Sequence, residues 1–152
     1  MRLLIQRVSR ASVTVDDAVT GSISHGLLVF VGLGHGDGPQ LFPAAADKLA
    51  NLRIFNDDEG RMNRSLEDVG GALLLVSQFT LYADARKGRR PSYTDAMPPA
   101  GAEGTFAAFL DFLRQRHPGR VETGRFGAHM RVEILNDGPV TIWLDSREMG
   151  WG

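Results

Sequence analysis

The residues of this chain best placed to do chemistry are Ser77-Gln78-Phe79-Thr80-Leu81, which follow directly on the apolar, strand-like run Ala72-Leu73-Leu74-Leu75-Val76. A buried strand that ends in hydroxyl and amide side chains reads as a wall facing a ligand. Far away in sequence, Asn136-Asp137-Gly138-Pro139-Val140-Thr141 interrupts another apolar run with a Gly-Pro step. Two such interruptions point to one site made of two pieces.

Other chemistries fail on spacing. The glycines after Leu27-Leu28-Val29-Phe30-Val31 invite a dinucleotide reading, but Gly32 and Gly34 would need a glycine where Asp37 stands, and Gly34 and Gly36 would need one at Pro39. A strand-to-helix turn remains. His25, His35, His117 and His129 show no paired helical spacing, and with no cysteine beside them no zinc site is expected. Asn56-Asp57-Asp58-Glu59-Gly60 lacks the glutamate that closes a calcium loop, so it reads as a solvated turn. Gly21-Ser22-Ile23-Ser24-His25-Gly26 lacks the spacing of a nucleophile elbow. Thr80 is a possible nucleophile without an assigned base; the alternative is a strand-end threonine that satisfies a neighbouring backbone group. Gly138-Pro139 alone reads as a hairpin turn, because only about 5–6% of X–Pro bonds in folded proteins are cis. Arg86-Lys87-Gly88-Arg89-Arg90 is either a solvated loop or a phosphate contact.

The 152 residues fit one domain, since domains of roughly 100–150 residues bury a sufficient core. Hydrophobic residues at 43% and charged residues at 23% are ordinary globular values and favour neither a disordered nor a fibrous class. The absence of cysteine removes disulfides, thiolate metal sites and cysteine nucleophiles together. A net charge of −1 argues against broad coating of nucleic acid while leaving room for local phosphate contacts. Met1 to Val8 lacks the apolar core of a signal peptide, and no run approaches the ~18 apolar residues of a membrane helix. A cytoplasmic protein is expected.

The elements that must position these residues follow from periodicity. Leu3, Ile5, Val13 and Val15 alternate as in strands, and Leu27 to Val31 reads as a strand buried on both faces. A helix is expected from near Gln40 to Asn51, with Ala46, Leu49 and Ala50 on one face and Pro43 tolerated in the first turn. Leu52-Arg53-Ile54-Phe55 reads as a short strand. A loop from Asp84 to Gly104 precedes a second helix, whose Phe106, Phe109, Leu110 and Leu113 form a stripe and whose end is His117-Pro118-Gly119. Met130 to Leu135 and Val140 to Leu144 read as two further strands. Strands at both ends with helices between them predict a mixed α/β sheet.

Taken together, Ser77-Gln78-Phe79-Thr80-Leu81 and Asn136-Asp137-Gly138-Pro139-Val140-Thr141 closely resemble the two signature motifs of D-aminoacyl-tRNA deacylases. The resemblance extends to Leu4-Ile5-Gln6-Arg7-Val8, Arg53-Ile54-Phe55 with Gly60 and Met62-Asn63, Arg90-Pro91-Ser92, and Thr123-Gly124-Arg125-Phe126. It implies one three-layer α/β/β domain over residues 1–145, a tail over 146–152, and a homodimer with its active site at the subunit interface. It implies hydrolysis of the ester between a D-amino acid, or glycine mischarged on alanine tRNA, and the terminal adenosine of tRNA.

By the same resemblance, Ser77, Gln78, Phe79 and Thr80 form the catalytic wall, and Met130 and Asn136 belong to the substrate pocket. Gly138 and Pro139, joined by a cis peptide, enter the partner's pocket and reject L-amino acids. The ribose 2′-hydroxyl assists water, so no cofactor or metal is implied. Arg86, Lys87, Arg89 and Arg90 are candidate tRNA phosphate contacts. Two positions depart from the family pattern: His129, where an acidic residue is usual, and Tyr93, where phenylalanine is. The competing reading is a non-catalytic RNA-binding or dimerising module that keeps the fold without turnover.

Overall fold

Alternation makes Leu3 and Ile5 share one face of a pleated strand, because side chains two apart point the same way. In the computed structural model, which describes residues 1–152, that strand (β1) runs from Arg2 to Val15. The strands that follow are Ala18–Ile23 (β2), Gly26–Gly32 (β3), Phe55–Asn56 (β4), Met62–Arg64 (β5), Ala72–Ser77 (β6), Val121–Thr123 (β7) and Arg131–Asp145 (β8). Two helices, Phe42–Asn51 (α1) and Pro99–Arg116 (α2), separate them. The main sheet has the order β2-β1-β3-β6-β7, with β8 also on β1, and β4 and β5 form a separate pair.

β1 is antiparallel to β2, β3 and β8, whereas β3 with β6 and β6 with β7 are parallel. Parallel neighbours need a long crossover, which α1 and the β4–β5 pair supply in the first case and α2 in the second. The mixed α/β sheet is therefore as expected. β3 and β6 lie inside it and bury both faces, so they read as continuous apolar runs. Leu27, Val29, Leu73 and Leu75 face the helices and join Phe42, Leu49, Phe106, Phe109, Leu110 and Leu113 in the larger core. Leu28, Leu74 and Val76 point the other way, into a second core with Val8, Val13, Val15 and Ile23.

Several expectations need correction. The strand expected over Leu52 to Phe55 is β4, only Phe55–Asn56, because Leu52 closes α1, its N–H donating to the Lys48 carbonyl. The loop expected from Asp84 to Gly104 ends early, since α2 starts at Pro99. Proline suits a first helical turn, where its missing N–H has no partner to lose, and Gly101 and Gly104 hide that turn from a propensity reading. The end of α2 at His117 is as expected. α1 begins at Phe42 after a 3-10 turn over Pro39–Leu41. The two strands expected at the end of the chain are one strand, β8, so Gly138-Pro139 is not a hairpin turn. Residues 146–152 are tied into the domain: the Ser146 N–H donates to the Met1 carbonyl at 2.8 Å and Trp151 packs against the larger core.

Candidate active site

β6 ends where its pairing with β3 ends. Val31 pairs with Ser77, and its carbonyl then accepts the Gln78 N–H at 2.8 Å, which fixes where the chain leaves the sheet. A 3-10 turn follows over Phe79–Tyr82, with the Leu81 N–H donating to the Gln78 carbonyl and the Ala83 N–H to the Thr80 carbonyl. The N–H groups of Phe79 and Thr80 open this turn and have no backbone partner, as at the start of any helical turn. The Gln78 amide donates to the Thr80 hydroxyl oxygen. An activated nucleophile needs a base that accepts its proton, and this neighbour is a donor.

Beside the turn lies a cavity of about 580 Å³. Val76, Ser77, Gln78 and Phe79 form one wall, Tyr93, Met97 and Pro98 a second, and Ala128, His129 and Met130 a third, with Phe106 and Phe126 also lining it. Phe79, 57% exposed, meets the edge of Tyr93 at a centroid distance of 5.0 Å. The second wall is held to the sheet by the Met97 N–H, which donates to the Leu33 carbonyl at 2.8 Å, and by the pairing of Gly34 with Ala96. Flat apolar surfaces of this kind suit the face of a nucleobase. The lining contains one imidazole, His129, and no carboxylate.

Ser77, Gln78, Phe79 and Met130 are thus brought together in one cavity, while Thr80, one residue further along the turn, and Asn136, Gly138 and Pro139 do not line it. The last three sit on an outward bulge of β8. Gln6 pairs with Thr141 and Val8 with Asn136, so residues 137–140 stand opposite Arg7 alone. The Gly138-Pro139 peptide bond is cis. Asn136 closes the bulge at its base: its side-chain oxygen accepts the Val140 N–H at 2.9 Å, and its amide nitrogen donates to the Val140 carbonyl at 3.2 Å.

Arg7 lies outside both motifs yet holds one of them in place. It is 5% exposed and donates from Nε to the Asp137 carbonyl at 2.8 Å and from Nη1 to the Ile54 carbonyl at 2.7 Å, fastening the bulge to the segment before β4. Its signal was in the alternation, because Leu3, Ile5 and Arg7 all occupy inward positions. An arginine in that register must find buried acceptors. Arg7→Met leaves two carbonyls without their donor and is expected to lower the unfolding free energy by about 2–4 kcal/mol. Urea denaturation reads this directly, and a variant as stable as its parent contradicts it.

The basic segment is a loop closed by the pairing of Asp84 with Ser92. Arg86 forks back onto Asp84, Nε to Oδ1 at 2.8 Å and Nη2 to Oδ2 at 2.6 Å, and holds that carboxyl well below the usual carboxylate range. Lys87, Arg89 and Arg90 are exposed and form no ion pair, so they are better placed than Arg86 to meet a phosphate.

Known proteins agree in sequence and shape. The family description for D-Tyr-tRNA(Tyr) deacylase matches residues 4–145. The D-aminoacyl-tRNA deacylase of Thermomicrobium roseum is 57% identical over 152 residues, covering 100% of this chain and 98% of its own. The structure of the c-Myc DNA Unwinding Element Binding Protein superposes with a TM-score of 0.91 at 40% identity, over 96% of this chain and 99% of that one. That of a probable eukaryotic D-amino acid tRNA deacylase shares the fold with a TM-score of 0.79 at 19% identity, over 94% of this chain and 97% of its own. With its motifs and nearly its whole length matched, this chain belongs to the D-Tyr-tRNA(Tyr) deacylase family.

Proposed function

We propose that the protein is a D-aminoacyl-tRNA deacylase, a hydrolase that cleaves the ester between a D-amino acid, or glycine mischarged on alanine tRNA, and the 3′-terminal adenosine of tRNA. The observation that carries this reading is the pair of free N–H groups on Phe79 and Thr80 beside an apolar cavity that holds no carboxylate. Two adjacent donors suit the oxyanion of a tetrahedral intermediate, and the flat lining suits the terminal adenine.

The chemistry needs a water and a base. The 2′-hydroxyl of the terminal ribose assists the water as it attacks the ester carbonyl carbon, and the oxyanion that forms accepts from the Phe79 and Thr80 N–H groups. Collapse of the intermediate expels the ribose 3′-oxygen, which takes up a proton, and free amino acid and tRNA leave. Ser77, Gln78 and Met130 shape the wall; Thr80 positions through its backbone. No cofactor takes part.

Handedness is judged by a second copy of the chain. The partner's Gly138-Pro139 carbonyls hold the substrate ammonium, so an L-side chain collides with that backbone while a D-side chain or the hydrogen of glycine does not. This homodimer is supported by the outward bulge and by exposed Ile134, Leu135 and Trp143 on the same strand. The α/β/β layering is supported by the two cores on opposite faces of the sheet. A cytoplasmic location belongs to the same reading, because that is where translation uses aminoacyl-tRNA. No helix is long and apolar enough to cross a membrane.

Lys87, Arg89 and Arg90 then contact acceptor-stem phosphates. Replacing all three with serine is expected to raise KM and to lower the salt slope of tRNA binding by about 2 to 3. Titrations at several salt concentrations read this, and an unchanged slope removes the loop from the interface. Turnover itself is tested by incubating D-tyrosyl-tRNA with the purified protein and following release of tyrosine. Release far above the spontaneous rate is expected. Binding with an unchanged ester lifetime would favour a non-catalytic RNA-binding module instead.

A further inference from the structure

The four-residue turn that carries Phe79 and Thr80 is too short to fix its own direction, because a single 3-10 turn is marginal without outside contacts. Its first end is held by the Gln78 N–H on Val31. Its other end meets Arg2. The Arg2 Nη1 donates to the Leu81 carbonyl at 2.9 Å while Nε donates to Asp145 Oδ2 at 2.8 Å. The same guanidinium lies 4.3 Å from the centroid of the Tyr82 ring and 5.6 Å from that of Trp143.

The surroundings of Arg2 are themselves fixed. Asp145 also accepts the Arg147 N–H at 3.0 Å; burial would raise its carboxyl, but these hydrogen bonds and the Arg2 charge outweigh it and hold it below its usual range. The Tyr82 hydroxyl donates to Asp37 Oδ2 at 3.1 Å, and burial raises its phenol so that it remains a donor. Asp37 accepts the Gly34 N–H at 2.6 Å on the same oxygen, and Gly34 pairs with Ala96 on the opposite wall of the cavity. Arg2 itself does not line the cavity.

We propose that Arg2 is a positioning residue for the hydrolysis, clamping the Leu81 end of the turn so that the Phe79 and Thr80 N–H groups meet the developing oxyanion. The inference rests on the deacylase reading and adds to it a residue outside both motifs. Without the fork the turn pivots on Gln78, and the two amides leave their alignment. Misplacement of reacting groups by about 1 Å costs up to 100-fold.

The test compares wild type, Arg2→Met and Arg2→Lys on a D-aminoacyl-tRNA, each well below its own melting temperature. Arg2→Met keeps the length and loses the fork; kcat is expected to fall about 10- to 100-fold with KM within about twofold, because substrate contacts are intact. Arg2→Lys keeps the charge over Tyr82 and one donor, so its kcat is expected to lie between the two. The D-over-L preference stays unchanged in both. A kcat equal to wild type, or a loss confined to KM or to melting temperature, overturns the proposal. If Arg2→Met does not fold, a folded Arg2→Lys with wild-type kcat overturns it equally. A wild type that fails to turn over sinks the deacylase reading and this inference together, whereas an active wild type with fully active variants sinks only this one.

Discussion

Gly138→Ala is expected to cut kcat/KM on a D-aminoacyl-tRNA by roughly 100-fold and to erode the D-over-L ratio, with the melting temperature lowered by a few degrees but the protein still folded at assay temperature. Gly138 has φ +146°, a conformation that L-residues rarely adopt. A Cβ there would lie 2.7 Å from both the nitrogen and Cγ2 of Val140, and 3.3 Å from Arg7 Nη2. Backbone cannot yield as a flexible side chain can, so the bulge must change shape. On the proposed reading the Gly138 and Pro139 carbonyls receive the substrate ammonium, so that movement would disturb both its placement and the exclusion of an L-side chain. Kinetics on both enantiomers, with circular dichroism as the check on folding, read the effect. Wild-type rates and selectivity would show that the bulge takes no part.

The second large effect lies in the substrate. A D-aminoacyl-tRNA ending in 2′-deoxyadenosine is expected to react about 1,000-fold more slowly, within the usual range for loss of a general base or proton shuttle. The Thr80→Ala variant is expected to stay within a few-fold of wild type on the normal substrate, because the Thr80 hydroxyl faces an amide donor and its backbone N–H survives the change. The two measurements oppose each other. Equal rates on ribose and deoxyribose ends, with Thr80→Ala inactive though still binding tRNA, would return the nucleophile role to Thr80.

What the sequence made legible follows from which signals are local. β3 and β6 stand out because strands buried on both faces are apolar throughout, and the end of α2 at His117-Pro118 follows from what proline forbids. The start of α2 was hidden because Pro98-Pro99, Gly101 and Gly104 look like loop, although the first turn tolerates proline and Phe106 to Leu113 stabilise the rest by burial. Gly138-Pro139 misled a local reading for a different reason: whether a Gly-Pro step turns the chain or bulges from a strand depends on β1, more than 120 residues away. Arg7 and Arg2 show the same limit. Their partners, Asp137 and Leu81, become neighbours only when the sheet forms. The motifs could be recognised in the chain, but the residues that hold them in place had to be read from the fold.

Hydrolysis with a choice of hand is read by following matched D- and L-tyrosyl-tRNA with the same purified protein. The D-ester is expected to disappear at least about 100-fold faster than its spontaneous rate while the L-ester keeps its spontaneous lifetime. Cleavage of both esters at similar enzyme-dependent rates would contradict it.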